Sequence, residues 1–348
     1  MMVKNIIYIR KESIDNEYRT PLIPNDIKIL IDYEYIIYVE SCLNRIYKDA
    51  EYKKCGAIIT SEKWYESKFN NAIIIGIKEL DNLEKLNNNT HIYFSHTFKN
   101  QINSEYILKQ FINSNSQLYD FEYFLENNKR LIAFGYYSGL VGAILGLKQY
   151  FNKLSESKIL KNVILNLHPW NSFNDIYNYV KDDINKNISI AIIGSNGRCG
   201  NGVRLILDKL NLEYTSIDRT SDISNLKNFD IVYNCILLDE KYDKVWFDKK
   251  TNFEKDIVIV DISCDYSKIN NPIKIYNNST TWKEPIFKYN KYVDIIAIDN
   301  LPSLLPKESS DYFSNKLTEL LLQFNEDPNN YWKNTLNIYY EKTNKYKN

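Results

Sequence analysis

The chain is 348 residues long, a length that two domains of ordinary size usually share, and its 44 Lys plus Arg balance 44 Asp plus Glu. The even balance and the lack of a basic stripe exclude a polyanion-binding surface, and with it a nucleic-acid partner. No apolar run is long enough to cross a bilayer, the start lacks a secretory pattern and the C-terminus Lys345–Asn348 lacks a peroxisomal address, so no membrane contact and a cytoplasmic setting are expected.

Five dispersed cysteines and three dispersed histidines, His91, His96 and His168, make neither a disulfide scaffold nor a metal quartet, and no metal is expected. The wealth of Asn, Lys, Ile and Tyr reads as coding or habitat bias. Arginine is scarce, at seven residues, which sharpens interest in where each one falls.

Short β-branched and aromatic runs open the chain: Val3–Ile9, Ile36–Val39, Ala57–Ile59, Ile73–Ile77, Ile92–Phe94 and Gln117–Asp120 read as strands. The spans around 24–33, 44–55 and 103–113 have helical length, and the alternation indicates a mainly parallel sheet. Phe134–Phe151, rich in Gly and apolar residues, reads as a buried helix and marks the first domain boundary. A second set of strands follows at Ile188–Ile193, Tyr214–Ile217, Ile231–Ile236, Ile257–Ile262 and Val293–Ile298, with the spacing of a second doubly wound sheet. Asn-rich stretches near 85–90 and 270–281 read as loops. Leu301–Pro306 holds two prolines and reads as a rigid connection before a helix from Glu308 or Ser309 to about Gln323.

The strand Ile188–Ile193 runs directly into Gly194-Ser195-Asn196-Gly197-Arg198-Cys199-Gly200, and Val203–Leu210 then has helix-forming composition. Glycines permit a tight reversal and close approach of backbone N–H groups to a pyrophosphate, whose charge suits a helix N-terminus. The spacing G-x-x-G-x-x-G is weak alone, but the strand before and helix after are the context that a dinucleotide fingerprint requires. Asp218 ends the next apolar run, 18 residues beyond Gly200, where a carboxylate can accept the adenosine ribose hydroxyls. It favours NAD over NADP, although Arg219 beside it could offset the charge. A loop before a structural helix is the bland alternative.

Lys78 and His96 each stand just past an apolar strand. Burial could depress the lysine pKa, the imidazole titrates near neutrality, and functional groups gather beyond strand ends in such sheets. A lysine emerging from a core strand and a satisfied structural histidine are the alternatives. Arg19 and Arg130 suit bidentate capture of a carboxylate, or plain surface placement.

Taken in order, Arg10-Lys11-Glu12, Arg19-Thr20-Pro21-Leu22-Ile23-Pro24, Ile74–Glu79, His96–Gln101, Leu118–Glu122 and Arg130–Gly139 resemble the first domain of the NAD-dependent, L-lysine-forming saccharopine dehydrogenases. The resemblance resumes at Gly197–Gly200, Asn234-Cys235-Ile236, Val260–Asp265 and Ile298–Glu308, and extends from about residue 6 to 322. It sits within a superfamily like alanine dehydrogenase and transhydrogenase. The fold this implies is α/β, two Rossmann-like domains with parallel sheets and an intervening active-site cleft. The first domain would be 1–133 plus 310–348, the catalytic and substrate domain completed by the C-terminal helix. The NAD-binding domain would be 134–309.

The resemblance also implies a reaction: reversible NAD-dependent oxidative deamination of L-saccharopine to L-lysine and 2-oxoglutarate, in the α-aminoadipate pathway of lysine biosynthesis. Lys78 would be a proton acceptor and His96 a proton donor, with Glu79 and Glu122 tuning their charge. Arg19, Gln101, Arg130, Phe134, Asp261, Ile262 and Ser263 would line the substrate pocket. Gly197, Arg198, Asp218, Asp222, Val260, Ile298, Asp299, Asn300 and Leu301 would contact NAD. A monomer is implied.

Three departures from the family pattern stand out: Lys129 in place of Arg, Leu237 in place of an aromatic residue, and Asp222 in place of Thr. Asp222 puts a charge where a hydroxyl contact is expected and could weaken cofactor binding. Cys199 and Cys235 match positions that can form a disulfide in a relative, with reduced thiols the cytoplasmic default. An alanine dehydrogenase-like oxidoreductase and a noncatalytic NAD-binding sensor are the competing readings.

Overall fold

The computed structural model describes residues 5–99, 101, 103–154, 166–181, 184, 187–239 and 241–346. Val3, the expected start of the first strand, Asn100 of the His96 block and the last two residues of the basic C-terminus lie outside them. The chain divides into two compact units, Met1–Ala133 with Pro306–Asn348, and Phe134–Leu305.

In the first unit six strands form one parallel sheet: β1 Ile6–Ile9, β2 Ile36–Glu40, β3 Ile58–Thr60, β4 Ile73–Ile75, β5 Thr90–Tyr93 and β6 Gln117–Asp120. Their order, β3-β2-β1-β4-β5-β6, reverses between β1 and β4. Runs such as Ile73-Ile74-Ile75 are apolar without alternation because every residue of β4 is buried, as a sheet covered on both faces requires. His91 on β5 belongs to this core. It lies edge-on between Trp64 at 5.0 Å and Phe111 at 5.4 Å, and burial pulls its pKa down to about 3.

Helices α1 Pro24–Asp32, α2 Asp49–Lys54 and α3 Ser104–Asn113 connect these strands. Leu125–Glu126 (β7) and Lys129–Arg130 (β8) form a small hairpin, which places Arg130 on a strand. Asn127 and Asn128 both have positive φ, 49° and 61°, the conformation that a two-residue primed turn demands and that Asn tolerates.

The C-terminal helices complete this unit. α7 begins at Pro306, earlier than Glu308, and runs to Leu321, while Leu301–Leu304 forms a 3-10 turn. Proline suits a first helical position, where its missing N–H would have no intrahelical partner. The Ser310 and Ser314 hydroxyls of α7 accept the Thr20 and Ile23 N–H groups at 3.0 and 2.9 Å. α8, Tyr331–Asn344, buries Trp332 and Tyr339, and the Tyr339 hydroxyl donates to the Ser116 carbonyl at 3.1 Å. The segment after residue 325, which carries no chemical motif, therefore serves to cover α3 and β6.

The second unit is built on β9 Ile190–Ile193, β10 Thr215–Ile217, β11 Ile231–Asn234, β12 Ile257–Asp261, β13 Phe287–Lys288 and β14 Val293–Ile296. The order is β10-β9-β11-β12-β14-β13, parallel except for the antiparallel edge strand β13, and it reverses between β9 and β11. α4 Gly135–Leu154 and α6 Arg198–Lys209 pack on it, and α5 Phe173–Lys181 packs against α4. α4 and α6 meet backbone to backbone. A Cβ on Gly139 would collide with the Cys199 carbonyl oxygen, and one on Gly202 with that of Tyr136. The glycines that weaken α4 as an isolated helix are thus what lets it seat the first turn of α6.

Gly139→Ala or Gly202→Ala forces these helices apart and should cost about 1–3 kcal/mol, the scale of an overpacked core. Urea unfolding of either variant against the parent measures it; unchanged midpoints would contradict this close contact.

Candidate active site

At the carboxyl ends of β1 and β4, where the strand order of the first unit reverses, the ladder ends and backbone N–H groups need other partners. The Glu12 carboxylate accepts the N–H groups of Ile77 at 2.7 Å and Lys78 at 2.9 Å. Arg10, almost fully buried, pairs with Glu12 at 3.3 Å, donates to the Lys78 carbonyl and lies over the Tyr93 ring. Gly76 leaves room for that guanidinium, since a Cβ there would strike it. Lys78, half-buried, thus leaves β4 on a backbone fixed from both sides.

His96 leaves the neighbouring strand β5. Ser95 gives both its N–H (3.1 Å) and its hydroxyl (2.6 Å) to Asp120 at the end of β6, and the chain then turns into the left-handed region at His96, φ 52°. Non-glycine residues held there concentrate at functional sites. The imidazole is exposed and stacks on Phe94 with a centroid separation of 6.5 Å. Burial raises the Asp120 pKa, helped by the neighbouring Glu122 charge and opposed by the Ser95 hydroxyl and by His96.

Glu122 takes the opposite course. Burial pushes its pKa up, but the Arg130 charge, the Lys99 hydrogen bond at 2.8 Å and His96 outweigh it, so it is held below its usual value. Arg19 is 4% exposed and grips Glu17 through Nε at 2.7 Å and Nη2 at 2.6 Å. Burial raises the Glu17 pKa less than Arg19 and the nearby Lys78 charge lower it. Both arginines expected to meet a substrate carboxylate therefore already hold a carboxylate of this chain. Glu79 is exposed, and Gln101 accepts the Lys99 N–H at 2.8 Å.

One sheet edge of the first unit thus gathers Lys78, His96, Glu79, Glu122, Gln101, Arg19 and Arg130. Arg10, Glu12, Glu17 and Asp120 hold them and are absent from the sequence-derived set. The sequence signals for Arg10 and Glu12 are their position just past the first strand and their place in the first block that carries the family resemblance.

In the second unit the glycine turn follows β9 at the strand-order reversal. Gly194 has φ 83°, and Gly197 is the N-cap of α6 with no side chain capping the helix. This backbone cradle fits a pyrophosphate. Arg198 opens α6, its side chain beside Gly135 at the start of α4, and the Phe134 carbonyl accepts the N–H groups of Tyr137 and Ser138. Asp218 lies exposed past β10, its Oδ1 accepting the Thr220 hydroxyl and N–H at 2.7 and 2.8 Å and the Ser221 N–H at 3.0 Å. Those donors, the Thr220 hydroxyl first, lower its pKa to about 2, so it remains a carboxylate suited to ribose hydroxyls. Asp222, also exposed, spends both oxygens on Ser224, at 2.8 Å each.

Asp261 is placed differently from a pocket-lining side chain. It is fully buried, and it accepts Asn234 Nδ2 at 2.8 Å, the Cys264 N–H at 3.1 Å and the Tyr276 hydroxyl. Ser263 donates its hydroxyl to the Ile236 carbonyl at 2.5 Å, tying the β12 end to the β11 end. Val260, Ile262 and Leu301 pack toward the α4 glycines, and Ile298 is buried. Asp299 is exposed, and Asn300 accepts the Trp282 indole N–H at 2.9 Å. Leu237 is 73% exposed. Cys199 and Cys235 are free thiols, and burial pushes the Cys235 pKa up, with Cys199 beside it adding to the shift.

Among the described residues no helix is long and apolar enough to cross a membrane, and no group of three or more His, Cys, Asp or Glu is arranged to hold a metal. Residues 8–141 match the model of the alanine dehydrogenase/PNT N-terminal domain. The saccharopine dehydrogenase [NAD(+), L-lysine-forming] of Candida glabrata is 33% identical over 338 residues, 91% of each chain. That of Schizosaccharomyces pombe is 31% identical, covering 94% of this chain and 95% of the relative.

The chain belongs to the saccharopine dehydrogenase family.

Two solved structures share its fold: an L-alanine dehydrogenase, TM-score 0.72 at 13% identity over 95% of this chain and 93% of that one, and a transhydrogenase from Sinorhizobium meliloti, TM-score 0.67 at 14% identity over 92% and 94%. The saccharopine dehydrogenase likeness thus rests on sequence along nearly the whole chain, while the structural likeness defines the two-sheet α/β fold.

Burial, opposed by its hydrogen bonds, sets the Asp261 pKa at about 6, above the ordinary 3.8. A raised carboxyl contributes stability that is complete at acid pH and is lost as the pH rises through about 6. In carbon NMR of aspartate-labelled protein the carboxyl assigned to Asp261 should titrate there. Tyr276→Phe removes a donor to the charged form and should move it higher; an Asp261 that titrates in the ordinary range contradicts the buried network.

Proposed function

We propose that this chain is an NAD-dependent dehydrogenase that reversibly converts L-saccharopine and water to L-lysine and 2-oxoglutarate, acting in the cytoplasm as a monomer. The observation that carries the proposal is the 33% identity across 91% of both chains with a relative named for that reaction. Lys78 and His96, which follow neighbouring strands, support it, because the reaction needs one group to take a proton and another to give one.

Bound NAD would supply the hydride acceptor for the carbon of the secondary amine. Gly197 and Arg198, at the start of α6, would hold its pyrophosphate, and Asp218 its adenosine ribose, with Asp222, Val260, Ile298, Asp299, Asn300 and Leu301 around it. Lys78 would take the proton from the substrate nitrogen as hydride leaves the adjacent carbon. His96 would give a proton to the departing lysine amine after water has added, and in the reverse direction the two exchange roles. Glu12 and Arg10 fix the Lys78 backbone and so the point from which its side chain leaves the strand end.

Substrate carboxylates would meet Arg19 and Arg130 in competition with Glu17 and Glu122. An anion entering there shares a cation that is already positioned, so the internal carboxylates act as placeholders. Gln101, Phe134, Ile262 and Ser263 would complete the substrate surroundings. Asp261 would act from beneath, by fixing the backbone at Cys264.

Purified protein should oxidise NADH only when lysine and 2-oxoglutarate are both present. Lys78→Met and His96→Gln should each lower kcat by about 100-fold or more, the scale of general acid–base catalysis, with NADH affinity unchanged. Oxidation with pyruvate and ammonia instead would favour an alanine dehydrogenase-like enzyme, and NADH binding without turnover a sensor. Full activity in either variant removes that residue from the mechanism.

A further inference from the structure

Beside Asp218 lies a charged pair that the proposed chemistry does not use. Arg219 donates from its guanidinium to the Asp239 carboxylate, in the loop that follows β11. That loop is itself held: the Lys241 N–H reaches Asp239 Oδ1 at 3.0 Å, and Asn270 Nδ2 reaches the Asp239 carbonyl at 2.6 Å. Lys244, from the same loop, donates to the Arg219 carbonyl. The guanidinium and the backbone of Arg219 are thus both drawn toward the β11 loop.

A dinucleotide with a 2′-phosphate would bring its extra charge to the ribose end of the site, where Asp218 repels it. Arginine is the side chain best matched to such a phosphate, through two parallel N–H donors. Arg219 is adjacent in sequence to Asp218, and in the fold its Nη2 donates to Asp239. We propose that Asp239 is a specificity-determining residue: by engaging Arg219 it withholds from NADPH a cation that could offset Asp218, and so reinforces selection of NADH.

This inference rests on the NAD reading and concerns only discrimination between the two dinucleotides. The pair is exposed, 67% for the arginine and 42% for the aspartate, so its hold is modest and the effect is a few-fold. Among the described residues, Asp239 bonds to Arg219, Lys241, Asn270 and Tyr242 and not to the glycine turn, so its exchange should spare NADH.

The test is direct titration of the full chain with NADH and NADPH, followed by nucleotide fluorescence, for the parent, Asp239→Asn, Arg219→Ala and the double variant. Asp239→Asn should tighten NADPH about fivefold, the upper range of an exposed ion pair, and leave NADH within about twofold. In the Arg219→Ala background the same exchange should change nothing, because the released cation is gone. An unchanged NADPH-to-NADH ratio in Asp239→Asn, with NADH still bound, overturns this inference alone. A gain that persists without Arg219 also overturns it. A parent chain that binds no NADH overturns the cofactor reading and this inference together.

Discussion

The Glu12 carboxylate accepts two successive backbone N–H groups, those of Ile77 and Lys78, and turns the open end of a parallel strand into a fixed perch for an amine. A parallel sheet presents its strand ends together on one edge, and the ladder leaves N–H groups there unpaired. In this chain acidic side chains answer that need repeatedly. Asp120 accepts from Ser95 and Glu122, Asp261 from Cys264, and Asp218 from Thr220 and Ser221. Each of these loops carries or adjoins a residue with a proposed role.

The electrostatic consequences differ with burial. Asp218, exposed and rich in donors, is held low and stays ionised, whereas the buried Asp120 and Asp261 are pushed up and tolerate their position only through their donors. Glu17 and Glu122 are buried too, but neighbouring cations pull them down. The two units also differ in the groups they present. Titratable side chains dominate the sheet edge of the first, while the second offers backbone at the glycine turn, made possible by the close seating of α6 on α4.

The main elements were legible because isoleucine runs alternate with spans of helical length, and because a strand, a glycine turn and a helix occur in immediate succession. The hairpin was not, since its turn is Asn-Asn rather than a glycine pair, and in so Asn-rich a chain the signal does not stand out. The start of α7 was misplaced by reading Pro306 as a breaker rather than a first helical residue. For the site, residues just past strands could be named from the sequence, but their partners could not. Nothing local shows that Arg19 folds back onto Glu17, or that Asp261 turns inward to Tyr276 instead of facing a ligand.

Condensation of an amino acid with a keto acid, and reduction of the product at one carbon, is the chemistry proposed for this sheet edge. The most direct measurement supplies NADH deuterated at the transferable position of its nicotinamide, with lysine and 2-oxoglutarate, and analyses the product by mass spectrometry. A secondary amine joining both substrates, with a single deuterium on the carbon that was the ketone, is the predicted result. Deuterated glutamate formed from free ammonia, or a coupled product without deuterium, would contradict it.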